Sequence, residues 1–426
     1  MEARTQKANR ERPLKRYGFG SGLRGANHFG WNTGLLLIGI TGGYKPEFLQ
    51  GGFLIEIYTA FLFIYAVFMR EKSYMPLFTR VAFVVFVLAE FVADLANHSP
   101  DELLLKGLYR NLAFMLCAWG GCFFYRKVGL TKTLLLYALL PIGNCVQIYM
   151  EGLWEGDPFD YINKYGGLSY GMVGVVLLFS RRWVWIVPTM VALVFVQLEA
   201  DSRGPAVTYT IALMLASVLY LRSIIKTSSR WQISVGIALS LGVFGAIALR
   251  FQTLLNSIEH QGDSHFNSDV TRGEMARSAI DGILDNPILG RGTDSHATNF
   301  QSAFDQTQFV GVHSWLLQWG YEIGIIGILF GLYLAYIASF SIWRLFEIRM
   351  RFHSGCAAAL IFISLTIWAG LLLSPFFGLN RVTTGYAIGC LLSFMVSAGR
   401  REQLKGMIPF NVQASSSRSS FGDACL

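Results

Sequence analysis

The sequence predicts an all-α polytopic membrane protein of about 12 transmembrane helices, with one long extracytoplasmic loop that carries short helices of its own. Three observations predict it. Of 426 residues, 53% are hydrophobic and only 15% charged, with a mean hydropathy of +0.44, values that a soluble chain of this length rarely reaches. Apolar runs of roughly bilayer length recur near residues 28–44, 52–69, 81–96, 108–125, 133–150, 167–180, 183–199, 204–222, 232–250, 313–342, 355–375 and 384–398. Several are short enough to be tilted or partly re-entrant. Between the ninth and tenth runs the pattern stops for about 60 residues, and structureless loops longer than roughly 12–15 residues are uncommon unless they carry function.

Orientation follows from charge. With the N terminus in the cytoplasm, 25 of the 35 Lys and Arg residues fall on the cytoplasmic side, as the positive-inside rule favours. The other ten, Lys45, Lys106, Arg110, Lys164, Arg203, Arg250, Arg272, Arg277, Arg291 and Arg381, face outward, which is the less usual home for a cation. The chain therefore divides into a basic cytoplasmic segment (1–27), helices 1–9 (28–250), the outward loop (251–312), helices 10–12 (313–400) and a serine-rich, disordered cytoplasmic tail (401–426). No small-residue cleavage site follows the basic N terminus, so the first span reads as an uncleaved anchor. The six cysteines lie mostly in apolar runs, without metal-ligand or disulfide spacing, and read as small hydrophobes. The net charge of +8 does not point to nucleic acid, because the basic residues sit mainly in short cytoplasmic turns while acids gather in the outward loops.

Within the long loop, Thr271 and Glu274 have capping-box spacing, Met275, Ala276, Ala279, Ile280, Ile283 and Leu284 follow with helical period, and Asn286-Pro287 ends the run. At about 100° per residue, Arg272 shares the face of Ala276, Ala279 and Ile283, pointing toward whatever the loop packs on, while Arg277 lies on the polar face beside Asp281. The loop then runs into His313-Ser314-Trp315-Leu316-Leu317-Gln318, the start of the tenth span. Read as one continuous helix, that span places Gly320, Gly324, Gly327 and Gly331 within about 40° of His313, a stripe that lets a neighbouring helix or lipid tail approach. Glu322 projects from the opposite face and is expected to hold the helix through another partner.

Three separated segments then carry a resemblance: Ser202-Arg203-Gly204 after the seventh span; Arg272 followed by Asp285-Asn286-Pro287-Ile288-Leu289-Gly290-Arg291-Gly292; and His313-Ser314-Trp315 with Glu322 and Gly324-Ile325-Ile326-Gly327. Together they resemble the O-antigen ligase and Wzy-type polysaccharide polymerase superfamily over roughly residues 160–400. Two departures stand out: His313-Ser314 replaces a frequent His-Asn pair, and Met275-Ala276 stands where the loop helix often has a tryptophan.

The resemblance implies a glycosyltransferase of the bacterial inner membrane, its active site facing the periplasm; no catalytic metal is expected, because the Asp157–Asp160 pair reads as a solvated face. The donor would be a saccharide on polyprenyl (undecaprenyl) diphosphate and the acceptor a sugar hydroxyl on a glycan or lipid A-core. Membrane lipids would be its surroundings, and no cofactor is implied, since the diphosphate is itself a good leaving group. Negative charge developing on that group calls for arginines, whose permanent charge and paired N–H groups suit phosphate; Arg203 and Arg272 take that role. The acceptor must lose a proton, and His313, with an ordinary pKa of about 6.5, is the expected base. Arg291, Glu322 and Arg381 are supporting residues. Each has an ordinary reading beside it: an arginine at a span end is commonly a snorkelling anchor, a loop arginine pairs with a local acid such as Asp269, and Asp157 and Asp160 are a solvated acidic face rather than a metal site. A ligase and a polymerase remain alternatives at this level, as do a transporter or flippase for lipid-linked glycans and a protein O-oligosaccharyltransferase of the same superfamily. Glu90 and Asp94, toward the outer end of the third span, are the ionisable residues a transporter would need within the membrane.

Overall fold

The computed structural model describes residues 28–46, 53–69, 75–150, 264–296, 312, 314–347, 354–373 and 378–407. All regular elements among these residues are helical: α1 (His28–Gly42), α2 (Leu54–Phe68), α3 (Leu77–Ala96), α4 (Asp101–Val128), α5 (Leu130–Met150), α6 (Ser264–Asp285), α7 (Trp315–Ile323), α8 (Ile325–Glu347), α9 (Ser354–Leu373) and α10 (Gly378–Met407). The apolar runs between residues 167 and 250 lie outside the described residues. Ile325–Phe346 is, among the described residues, the helix long and apolar enough to cross a membrane by length and composition; Leu54–Phe68 and Ala359–Leu372 are apolar but shorter.

Local sequence sets the ends of these helices. Pro100 precedes α4, Asp101 and Glu102 occupy its first turn, Arg126 and Lys127 its last, and Gly129 (φ 89°) stops it. Acids thus meet the positive end of the peptide dipole and bases the negative end. The 28 residues of α4 begin ahead of the apolar run 108–125 because Asp101, Glu102 and Lys106, exposed and polar, are helical residues that hydropathy does not register. Two loop expectations change. α6 begins at Ser264, seven residues before the Thr271–Glu274 pair, so that pair lies within the helix rather than capping it. The tenth apolar run is not one helix: Gly324, at φ 73°, breaks it into α7 and α8.

The core lies where α3, α4, α7, α8 and α10 meet. Phe86 stacks on Phe330 at 4.1 Å and meets Trp319 edge-on at 5.3 Å, while Phe83 bridges Phe114 (5.3 Å) and Phe330 (5.1 Å). All five rings are buried, so this aromatic knot holds α7 and α8 against α3 and α4. α4 and α10 pack most closely at Gly121 and Gly389, where a Cβ on either would meet the other helix's backbone at 2.2–2.3 Å. Of the glycines expected to form a stripe, Gly324 makes the break and Gly320 admits Ile283 of α6, 2.8 Å from where a Cβ would stand. A Cβ at Gly327 would lie 2.2 Å from the Trp319 carbonyl, and one at Gly331 2.7 Å from Leu316, so α7 folds back onto α8 across them.

Candidate functional site

The segment Pro287–Gly292 forms a clasp against the C-terminal end of α7. Helix ends leave carbonyls without helical partners, and here Arg291 N–H donates to the Tyr321 carbonyl (2.8 Å) and Gly292 N–H to that of Glu322 (2.9 Å). In return, the Pro287 carbonyl accepts from Ile325 N–H at 2.8 Å. Two glycines make this approach feasible. Gly290 (φ 69°) would drive a Cβ to 2.5 Å from the Glu322 carbonyl, and Gly292 (φ 87°) would drive one to 2.7 Å from Ser99 Oγ and 2.8 Å from Asp94. On the other side, the Gly290 carbonyl accepts from Asn97 Nδ2 (3.2 Å) at the end of α3.

Beneath the clasp lies a buried ionic cluster. Arg110 Nη2 donates to Glu90 Oε1 and to Glu322 Oε2, each at 2.7 Å, and Nη1 to Asp294 Oδ1 at 3.2 Å. Thr293 adds Oγ1 bonds to Glu90 and Asp94 (both 2.8 Å) and a backbone bond to Asp94 (2.6 Å). Glu322 Oε1 accepts from Asp294 N–H (3.1 Å) and from Gln318 Nε2 (3.1 Å), and Lys106 closes the outer side on Asp294 at 2.5 Å. Glu90, Asp94, Arg110, Thr293 and Glu322 are all buried. A single guanidinium therefore ties together α3, α4, α7 and the loop after α6. Burial alone would push the Asp294 carboxyl up, but Arg110 and then Lys106 outweigh it and hold the group below the usual carboxylate range.

The face of α6 bearing Met275 and Ala279 is buried, with Ala279, Val312 and Tyr321 forming a small core that Ile283 and Leu317 complete. A Cβ at Gly282 would lie 2.1 Å from the Tyr321 ring, so this helix seats directly on α7. His296 is buried edge-on to the same ring, centroids 5.0 Å apart. Burial pushes its pKa down to about 4, against the opposing pull of the Met275 backbone. At the other end of α7, Ser314 is the N-cap, its Oγ accepting from Leu317 N–H (3.2 Å) and donating to the Leu371 carbonyl of α9 (2.7 Å). Serine and asparagine are equally good caps, which is how His313-Ser314 can stand in for a His-Asn junction.

Residues 188–332 match the O-antigen ligase family. No curated protein matches the chain. The O-antigen ligase match contains all three segments that carried the resemblance, along with the clasp and the whole of α6 and α7. Members of that family are bacterial inner-membrane proteins that transfer glycans.

Within the matched region and beyond it, the expected site residues separate into groups. Arg203 and His313 lie outside the described residues, although Val312 and Ser314 on either side of His313 are both buried. Arg272 belongs to α6 at a position seven residues, two turns, before the buried Ala279; its side chain is outside the described set. Arg291 bonds Asp285 at 2.8 Å and lies over the Tyr321 ring at 5.5 Å, which makes it a brace of the clasp. Glu322 reaches into the ionic cluster as described. Arg381, near the start of α10, pairs with Glu56 and lies 5.5 Å over the Tyr109 ring. Glu56 in turn accepts from Tyr109 and, at 3.0 Å, from the Phe53 N–H that opens α2. That second buried pair joins α2, α4 and α10.

Sequence reasoning did not foresee Arg110, Thr293 and Asp294 as a unit. A signal was present: Glu90, Asp94 and Arg110 are charges within or beside apolar runs, where ions persist only when paired.

Proposed function

We propose that this chain is a membrane glycan transferase of the ligase or polymerase kind, acting at the periplasmic face of the bacterial inner membrane across a fold of about twelve spans. Its donor is a saccharide on a polyprenyl diphosphate and its acceptor a sugar hydroxyl on a growing glycan or lipid A-core. The observation that carries the reading is the O-antigen ligase match over residues 188–332, in which the loop segment Asp285–Gly292 and the helix that follows His313 are built into one unit by the clasp and by Arg110.

In this reading the acceptor oxygen attacks the anomeric carbon, the bond from that carbon to the diphosphate oxygen breaks, and the electron pair leaves on polyprenyl diphosphate. Arg203 and Arg272 stabilise the charge gathering there, since guanidinium groups match phosphate oxygens in pairs. His313 receives the proton lost by the acceptor hydroxyl. The clasp supports the arrangement: it fixes α6, the helix to which Arg272 belongs, against α7, the helix that begins two residues after His313.

The test has two parts. Deletion of the gene followed by surface-glycan electrophoresis is expected to remove long chains. Accumulation of lipid-linked polymer then identifies a ligase, a product capped by a single repeat identifies a polymerase, and an unchanged glycan profile overturns the reading. The purified protein in liposomes, given donor and acceptor on one side of the bilayer, should form product there. Donor crossing the bilayer without product would identify a transporter instead.

A further inference from the structure

We propose that the C-terminal end of α6 and the turn after it lie in the outer leaflet of the bilayer, with Ile280, Leu284, Ile288 and Leu289 against lipid acyl chains. Leu284 is 71% exposed, Ile288 70%, Ile280 46% and Leu289 42%. They form one patch in a segment whose other face, at Met275, Ala279 and Gly282, is fully packed. Exposed apolar patches of this kind mark association surfaces.

Position identifies the partner as lipid. Pro287 and Ile288 abut the break between α7 and α8: the Pro287 carbonyl accepts from Ile325 N–H, and a Cβ at Gly324 would lie 2.4 Å from the Ile288 carbonyl. Ile325 opens the helix that is long and apolar enough to cross a membrane. It begins an exposed apolar line, Ile325, Leu329, Leu332 and Tyr336, whose spacing of four, three and four residues keeps to one helix face. The patch on α6 therefore continues a face presented to hydrocarbon, at the depth where that face starts. Arg277 adds charge complementarity. It is exposed and precedes Leu284 by two turns on nearly the same line, about 10 Å along the axis. A helix entering the interface with Leu284 and Ile288 foremost leaves that guanidinium among the lipid phosphates, as amphipathic interfacial helices do. The inference rests on the membrane placement in the proposed function and is independent of its chemistry.

The experiment uses the full chain in liposomes of phosphatidylethanolamine and phosphatidylglycerol, with an environment-sensitive fluorescent amino acid at position 284 or 288, or at 273 as a control. Gly273 is exposed with open space around it and lies four residues before Arg277, away from the patch. At 284 and 288 the emission should shift to the blue and lose most of its intensity to nitroxide lipids labelled near the headgroup. At 273 it should respond instead to aqueous iodide. Iodide quenching at 284 and 288 would overturn the proposal by putting the patch in water, and protection from both quenchers would overturn it by putting the patch under protein. Because glycan transfer is not read, failure here and failure of the transferase reading remain distinguishable.

Discussion

Arg110 and Glu322, 212 residues apart in the chain, meet at 2.7 Å with both side chains buried. A pair buried this deeply is costly to break, because removing one partner strands the other charge in a low-dielectric site. Here one cation serves Glu90, Asp294 and Glu322 together. Its consequence is architectural: the loop after α6 and the helix after His313 are held to α3 and α4 through a single side chain.

Replacing Arg110 should therefore be severe. Arg110→Ala is expected to cost on the order of 3–5 kcal/mol, read as a lowered unfolding temperature in detergent and as faster proteolysis of the 251–312 loop. Arg110→Lys keeps the charge but reaches only part of the cluster, so it should give an intermediate loss. Stability and proteolysis unchanged in Arg110→Ala would remove the cluster from the architecture described above.

Two glycines in the same region should respond with opposite signs. Gly292→Ala places a Cβ at positive φ against Ser99 and Asp94, a strain of roughly 1–2 kcal/mol from the backbone alone, and should loosen the clasp. Gly273→Ala lies inside α6 with open space around it and should stabilise by about 0.5–1 kcal/mol. Hydrogen exchange of the α6 amides in each variant reads both signs directly.

Seating of the loop should weaken in acid. The folded His296 has its pKa pushed down to about 4, below its ordinary value of about 6.5, so the released loop binds a proton more readily than the seated one. The stability contribution is complete above about pH 6.5 and is lost as pH falls from there toward 4. Asp294, also held low, extends the loss to still lower pH, since its contribution exists above its ordinary pKa and disappears as pH falls through the folded value. Loop proteolysis followed between pH 7.5 and 4 should accelerate across this range, and His296→Gln should flatten the upper part of the profile.

The catalytic assignments have their own test. His313→Ala should abolish glycan transfer with the protein still at normal level in the membrane, and Arg203→Lys and Arg272→Lys should each lose most activity, because an ammonium cannot reproduce paired guanidinium–phosphate bonds. Near wild-type transfer in His313→Ala would exclude it as the base. Transfer unaffected by either lysine would argue against diphosphate binding by that residue.

Sequence periodicity located the helices well where apolar runs are long. The runs 28–44, 52–69 and 133–150 correspond to α1, α2 and α5 within a few residues. It failed where a polar residue is satisfied by distant protein. The first turns of α4, ahead of the run 108–125, carry Asp101, Glu102 and Lys106 and read as loop although Lys106 pairs with Asp294, and the first turns of α6 are too polar to register as helix. The pause at Gly324 was equally hidden, since the apolar run 313–342 continues across it and hydropathy carries no information on φ.

Taken alone, the amino-acid order determined that the chain is helical, apolar enough for a bilayer, interrupted by one long polar stretch, and similar in three short segments to O-antigen ligases. Those properties follow from composition, 3.6-residue periodicity and local motif, all of which act over a few turns. Tertiary structure alone decided that Gly290 and Gly292 serve a clasp, that Arg291 and Arg381 brace neighbouring elements, and that Arg110 is the shared counter-ion of three carboxylates. The physical reason is that a charge becomes tolerable inside the fold only through its partners, and those partners lie as many as 212 residues away along the chain.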